Sequence, residues 1–336
     1  MRLAIVTDAW RPQVNGVVRT LEAMATELRA MGHHVAFITP DRFRNMPCPT
    51  YPEIRLALAG RRAVARLIAE AAPDAIHIAT EGPLGLAARR HCIGSGLAFT
   101  TSFHTRFPEY VNARCRLPVG LGYAMVRWFH RPAVATMVAT ESLRAELAGR
   151  GFGNLSLWSR GVDIDAFRPG PKTFLDGPRP ISLYVGRVAV EKSVEDFMKL
   201  DIPGTKYVVG DGPLLDRLRR SYPEVRFVGA QHGEALARHY AAADVFVFPS
   251  RTDTFGNVML ESLACGVPVA AYPVPGPADV INGFGIGALD EDLAVATMRA
   301  LEIPSQRCRD FAVARSWRAS AEQFLSNLFP AAGDAA

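Results

Sequence analysis

Short apolar runs alternate with stretches of helical spacing along the whole chain. In the first half, strand-like runs fall at Leu3–Thr7, Val35–Thr39, Ala75–Ala79, Ala98–Ser102, Thr136–Ala139 and Leu155–Trp158. Between the first two, Val17, Val18, Leu21, Ala25, Leu28 and Met31 recur at helical spacing, and Gly32 ends that helix. In the second half the runs are Ile181–Val185, Tyr207–Val209, Arg226–Val228, Val245–Pro249 and Val267–Tyr272. Helical patterns at 193–200, 213–221, 233–242, 257–265, 290–302 and 305–329 separate or follow them. Strands alternating with helices predict parallel sheets joined by crossover helices, an α/β class. Two such series predict two Rossmann-like domains facing across a cleft, with ligands outside the carboxyl ends of the strands. The join falls near Pro169-Gly170-Pro171, in a stretch that also holds Pro178 and Pro180. The expected division is 1–168, 169–315 and a C-terminal helix and tail at 316–336, the helix packing back on the first domain.

The length of 336 residues fits about two domains. An apolar fraction of 49% and a charged fraction of 21% exclude a disordered, collagenous or coiled-coil chain. No apolar run approaches the roughly 18 residues of a membrane span. Arg2 leads directly into Leu3–Thr7, which reads as a buried strand and not as a signal core, so a cytoplasmic location is expected. Cys48, Cys92, Cys115, Cys265 and Cys308 form no C-x-x-C pair, which fits a reducing compartment without a disulfide frame or zinc site. Charge is uneven: residues 1–165 hold 20 Arg and no Lys against 13 acids, net +7, whereas 166–336 hold 18 bases against 20 acids, net −2. A basic first half suits an anionic membrane, a phosphorylated ligand or nucleic acid, and solvated arginines explain it as well. No nucleic-acid-binding module is recognisable. Gly210-Asp211-Gly212 lacks the third glycine of a dinucleotide fingerprint, and no P-loop is present.

The most informative stretch is 249–268. A strand ends at Pro249, a loop runs to Gly256, and a helix follows to Cys265 with Gly266 behind it. Free backbone N–H groups around Phe255, Gly256, Asn257 and Val258 can bind an anion. Asp253 precedes that helix start and Glu261 lies inside the helix; both carboxylates accept hydrogen bonds from hydroxyls. Hydroxyls on both sides of a phosphate describe a nucleotide sugar. An acidic cap and an exposed helix glutamate would also account for the pair.

The stretch resembles glycosyltransferase family 4, whose hallmark is E-x7-E in the same Phe-Gly, Leu-Glu, Gly-x-Pro setting. Asp8-Ala-Trp-Arg-Pro-Gln-Val-Asn-Gly-Val resembles the family's first loop, and Ser102-Phe-His-Thr-Arg-Phe-Pro-Glu-Tyr its histidine segment. Tyr184-Val-Gly-Arg-Val-Ala-Val-Glu-Lys resembles its phosphate-binding segment; Val209-Gly-Asp-Gly-Pro and Ala243-Asp-Val-Phe-Val-Phe-Pro-Ser are similar to further family segments. The resemblance implies a GT-B architecture and retaining sugar transfer without a catalytic metal or other cofactor. It implies that Glu261 holds the donor ribose, that Asp253 contacts hydroxyls of the transferred sugar, and that Arg187 and Lys192 meet the diphosphate. It places Gly16, in Asn15-Gly16-Val17, at the border of the reaction centre, and His104 beside the sugar. The first hallmark carboxylate is here Asp253, one methylene shorter than the family's Glu, which leaves the sugar open.

Read without the resemblance, Arg187 and Lys192 are two cations after a strand, able to neutralise a diphosphate or simply solvated. Asp163-Ile164-Asp165 is a D-x-D, a metal-holding pattern in glycosyltransferases of another fold; the resemblance gives the segment a structural role, so no metal is expected. Asp290-Glu291-Asp292 reads as an acidic helix start. Residues 106–132 hold Arg106, Arg114, Arg116, Arg127 and Arg131 against Glu109, with Tyr110, Tyr123, Trp128 and Phe129 interleaved. A helix over 118–131 would turn Leu121, Met125, Trp128 and Phe129 toward an anionic membrane surface or dock on the first domain.

The Thr-Asp-Thr-Phe-Gly version most resembles the family's glycolipid-forming group, which includes sulfolipid synthases, diacylglycerol glycosyltransferases and glycolipid mannosyltransferases. The expected partners are a UDP-sugar or GDP-mannose donor, a lipid or glycolipid acceptor and the inner membrane face, with no nucleic acid. A soluble sugar or polyol acceptor, a nucleotide-sugar epimerase of the same shape, and a sugar-binding protein without chemistry remain the rivals.

Overall fold

The structure is a computed structural model that describes residues 1–12, 16–48, 51–109, 118–253 and 255–331, without the side chains of 48 and 51–54. Asn15, Tyr110, Arg114, Cys115, Arg116, Thr254 and the tail beyond Ala331 lie outside the described residues. The chain divides into two compact units, Met1–Arg160 with Trp317–Ala336, and Gly161–Ser316.

The first unit carries β1 (Arg2–Val6), β2 (His34–Ile38), β3 (Asn45–Cys48), β4 (Tyr51–Ala57), β5 (Ala75–Ile78), β6 (Thr100–Phe103), β7 (Ala135–Val138) and β8 (Leu155–Leu157). Its main sheet has the order β2-β1-β5-β6-β7-β8 and parallel pairing throughout. Alternate residues feed opposite faces: Leu3 and Ile5 pack with Leu21, Met24 and Leu28 of the helix Gly16–Ala30, whereas Val6 and Ile78 pack with Val64, Ile68 and Leu84. β3 and β4 form a separate antiparallel pair, masked in the sequence by Pro47 and Pro52.

The second unit carries β9 (Ile181–Val185), β10 (Thr205–Val209), β11 (Arg226–Gly229), β12 (Val245–Phe248), β13 (Val269–Ala271) and β14 (Gly287–Leu289). Their order is β11-β10-β9-β12-β13-β14, again all parallel. Ile181, Leu183 and Val185 face one core with Phe246, Leu260 and Leu263; Tyr184 faces the other with Phe197, Leu218 and Leu293. The two-Rossmann expectation holds for each unit.

The helical run expected over 305–329 is two helices, Ser305–Val313 and Trp317–Ser326, one in each unit. The break has a local cause: the Arg315 carbonyl accepts from Val162 N, and Ser316 bridges Val162. The second helix packs, as expected, on the first unit, where Ala321 and Phe324 are buried against Trp158 and Leu28.

Strand order reverses between β1 and β5 in the first unit and between β9 and β12 in the second. Such switch points leave a crevice at the carboxyl ends of the strands, because the connections on either side depart in opposite directions.

Candidate active site

In the second unit the loop after β9 carries Arg187 and Lys192, and the loop after β12 carries Asp253. They therefore flank the β9/β12 switch point, and Lys192 Nζ lies 2.5 Å from Asp253 Oδ1. Thr252 Oγ1 donates to the Glu191 carbonyl at 3.1 Å, tying the two loops a second time. Arg187 is half exposed and 4.0 Å from Glu191. The buried Tyr184 hydroxyl donates to the Arg187 carbonyl at 2.8 Å, which fixes the backbone that presents the guanidinium. Burial and the nearby Asp253 and Glu191 push the Tyr184 phenol up, so it stays a donor.

Gly210-Asp211-Gly212, unassigned in the sequence, has a structural use. Gly210 has φ +148°, and a Cβ there would lie 1.9 Å from the Gly186 carbonyl oxygen; one on Gly212 would lie 2.4 Å from that of Val188. Val188 N donates to the Asp211 carbonyl. The loop after β10 thus rests directly on the loop that holds Arg187.

The helix Asn257–Ala264 starts at Gly256 with φ +82° and, among the described residues, no side-chain cap. A Cβ on Gly256 would come within 2.9 Å of the Phe248 ring, so the turn needs glycine. The first-turn amides of this helix are anion donors by construction. Phe255 and Val258 pack half-buried on the unit's core, and Asn257 is half-buried beside them. Glu261 lies one turn further on, and Tyr240, fully buried, donates its hydroxyl to Glu261 Oε2 at 3.0 Å. The structure thus brings Arg187, Lys192, Asp253 and the Gly256–Glu261 segment to one edge of one sheet.

In the first unit, Gly16 opens the helix Gly16–Ala30 and is exposed. Sequence reasoning passed over Asp8, which follows β1. Its carboxylate accepts from Leu84 N at 2.8 Å, Gly85 N at 3.2 Å and Thr80 Oγ1 at 3.0 Å. Asp8 therefore fills the β1/β5 switch point and binds the start of the helix Pro83–Gly94. Burial raises its carboxyl, and those hydrogen bonds pull it back. A side chain on Gly82 would collide with Asp8, its Cβ 2.4 Å from Cγ; that glycine marked the site in the sequence.

His104 follows β6, and its Nδ1 accepts from Arg160 Nη2 at 2.7 Å. Its ring meets Trp158 edge-on at 5.7 Å. Burial, then Arg160, His77 and His130 in turn, hold its pKa well below the ordinary histidine value. His77, on β5, is buried between Thr100 Oγ1 and Ser102 Oγ, and burial pushes it down to about 3.

The helix expected over 118–131 spans Val119–His130. Leu121, Met125 and Trp128 are exposed on one face, at i, i+4 and i+7. Phe129 corrects the expectation: it is 2% exposed, in the core with Leu84 and Phe99. One residue beyond Trp128 is a 100° turn, which carries Phe129 to the inner face with Val126 and Tyr123. Arg106 pairs with Glu146 at 2.7 Å and Glu109 at 3.9 Å and is largely covered. Arg89 donates to the Trp128 and Phe129 carbonyls and stacks on the Trp128 ring at 4.0 Å, closing the helix end and holding the ring. Arg127 and Arg131 are exposed and line a cavity of about 380 Å³ with Gly151, Phe152, Gly153 and Asn154.

The remaining candidates are structural. Asp163 Oδ1 accepts from Asp165 N and Ala166 N, closing a turn. Asp292 caps the helix Leu293–Ala300. Cys92, Cys265 and Cys308 are buried free thiols, each pushed up to about 12 by burial. No described helix is long and apolar enough to cross a membrane.

Comparison with known proteins gives the family and the fold. Residues 14–166 match the model of Glycosyltransferase Family 4, and residues 179–302 that of Glycosyl transferases group 1. The chain is 30% identical over 316 residues to a GDP-mannose-dependent alpha-mannosyltransferase of Mycobacterium tuberculosis, covering 86% of this chain and 83% of the relative. It is 28% identical over 347 residues to the alpha-monoglucosyldiacylglycerol synthase of Streptococcus pneumoniae, covering 90% and 78%. A solved sucrose-phosphate synthase from Thermosynechococcus elongatus superposes with a TM-score of 0.77 at 22% identity, covering 96% of this chain and 97% of that one, which shows the GT-B fold. With two parallel Rossmann-like units and this relationship across both, the chain belongs to glycosyltransferase family 4 and is a nucleotide-sugar glycosyltransferase.

Proposed function

We propose that the protein is a retaining, metal-independent hexosyltransferase that moves a sugar from a UDP-sugar or GDP-mannose to a hydroxyl of a diacylglycerol-type lipid or glycolipid. The observation that carries this reading is the second-unit switch point, where two cations, a carboxylate and an uncapped helix start share one edge. Arg187 and Lys192 take the donor diphosphate, and they favour bond breaking because charge grows on the leaving oxygen. Asp253, bonded to Lys192, accepts from hydroxyls of the sugar, and Glu261 accepts from the ribose. The acceptor oxygen bonds to the anomeric carbon on the face the diphosphate leaves, and its proton passes to a diphosphate oxygen. Such a front-face route needs no protein nucleophile. The two side-chain cations supply the positive charge that a divalent ion supplies elsewhere.

The acceptor half of the reading rests on the first unit. Leu121, Met125 and Trp128 form an exposed apolar face, with Arg127 and Arg131 beside it and a net +7 charge over residues 1–165. Such a helix binds the cytoplasmic face of an anionic membrane peripherally. The name of the Streptococcus relative points to a diacylglycerol-type acceptor, and that of the Mycobacterium relative to GDP-mannose. The test is a donor screen by mass spectrometry with mixed lipid extract, with and without EDTA. A new glycolipid from one donor, formed in EDTA, is expected. Product made only from soluble sugars would refute the lipid acceptor, and activity restored only by added manganese would refute metal independence.

A further inference from the structure

Arg160 is 8% exposed, it makes no ion pair among the described residues, and its Nη1 is buried without a hydrogen-bond partner there. Burying a guanidinium without an acid is unfavourable, so its place needs an explanation. Burial lowers its pKa to about 10, which leaves it charged at neutral pH. Its Nη2 donates to His104 Nδ1 at 2.7 Å, and its charge stacks on the Trp158 ring at 4.8 Å.

The backbone that carries Arg160 is clamped by the C-terminal helix. Gln323 Oε1 accepts from Ser159 N at 2.7 Å, and Ser320 Oγ donates to the Ser159 carbonyl at 2.7 Å. Trp158 Nε1 donates to Ser320 Oγ at 3.1 Å, and Asn327 Nδ2 to the Leu157 carbonyl at 2.6 Å. The segment after β8 is thus held on both sides of Trp158, and the guanidinium is aimed at His104. A guanidinium only donates, so the nitrogen it meets must be the unprotonated one.

We propose that Arg160 is the positioning residue of His104: it fixes the ring as the neutral Nε2–H tautomer, so that Nε2, buried in this structure, serves as a hydrogen-bond donor to the transferred sugar once it binds, and the ring is not an imidazolium. This rests on the reading above only in taking the sugar as the partner of His104. Among the described residues, His77 and His130 lower the ring's pKa further. His77 is held neutral between Thr100 and Ser102, and His130 bonds Thr101 Oγ1 and Glu81. Trp158 adds a ring edge without charge.

Long-range ¹H–¹⁵N NMR of the full chain labelled at histidine nitrogens reads the tautomer without any donor present. His104→Gln identifies the His104 signals. The expected result is a protonated Nε2 and an unprotonated Nδ1, unchanged between pH 8 and pH 6. Nδ1–H, or an imidazolium at pH 6, would overturn the proposal from the wild-type spectrum alone. Arg160→Met should average the two nitrogen shifts and raise the titration midpoint; unchanged shifts and midpoint would overturn it. Arg160→Gln, which keeps an N–H donor, should retain the tautomer. In transfer assays Arg160→Met should lower kcat about tenfold at pH 6, recovering toward pH 8, with the donor KM within about twofold. If the wild type transfers no sugar, the proposed function fails while the tautomer result still stands.

Discussion

The two units wind their strands alike and use their switch points differently. In the first, the helix that follows β5, Pro83–Gly94, has its opening amides occupied by Asp8, a carboxylate of the chain itself. In the second, the corresponding helix after β12, Asn257–Ala264, begins at a glycine with no side-chain cap among the described residues, and Lys192 and Asp253 stand in front of it. The same topology thus gives two helix starts able to hold an anion, and Asp8 occupies the first. A helix start satisfied by an internal carboxylate adds stability; one left uncapped beside two cations is available to a diphosphate. In the first unit, by contrast, the charged Arg160 bonds the ring of His104, and one helix face is apolar and exposed.

This contrast is broken most easily at Asp253. Asp253→Asn keeps the shape but weakens the tie to Lys192 and the sugar contact, and turnover should fall about 10²-fold with the melting temperature nearly unchanged. Steady-state kinetics beside a thermal melt will show it, and a stability loss in place of an activity loss would move Asp253 to a structural role. Asp8→Ala is the mirror experiment. It leaves buried amides of Leu84 and Gly85 without their acceptor, so urea unfolding should show a loss of about 1–3 kcal/mol with nucleotide affinity unchanged.

A smaller effect comes from the histidines of the first unit. His77 is pushed down to about 3, and His104 is lowered as well. Between the ordinary value near ~6.5 and these lowered values, the unfolded chain binds protons that the folded chain does not. Stability should therefore rise with pH across that window and fall as the solution is acidified, by up to about 1.4 kcal/mol per pH unit per group. His77→Gln, which keeps polar atoms between Thr100 and Ser102, should flatten that slope in pH-dependent urea melts. The smallest expected effect is on association: Trp128→Ala with Leu121→Ala should lower binding to anionic vesicles severalfold in sedimentation assays, leaving donor hydrolysis intact.

Much of this was legible in the chain. Strands buried on both faces appear as short apolar runs, and the Asp253–Glu261 stretch announces a strand, loop and helix in order. What escaped was set by contacts distant in sequence or by geometry that residue types do not spell out. Asp8 meets its partners 76 and 77 residues away. Nothing beside Arg160 in the chain marks it out, and only folding brings it to His104, 56 residues back. Gly210 and Gly212 looked like an incomplete nucleotide motif because the close approach of two loops cannot be seen from one of them. β14 is three residues of Gly-Ala-Leu, too short and bland to stand out. Phe129, in contrast, could have been placed correctly, because Tyr123, Val126 and Phe129 already repeat at helical spacing on an inner face.

The central claim is that the open switch point of the second unit is the diphosphate site and works through side-chain cations. Calorimetric titration of UDP and GDP into the wild type and into Arg187→Ala/Lys192→Ala, all in EDTA, tests it most directly. The account predicts that one nucleotide binds the wild type and that the double variant loses at least about 100-fold in affinity while staying folded. Equal affinity in the two proteins, or binding that appears only when a divalent ion is added, would contradict it.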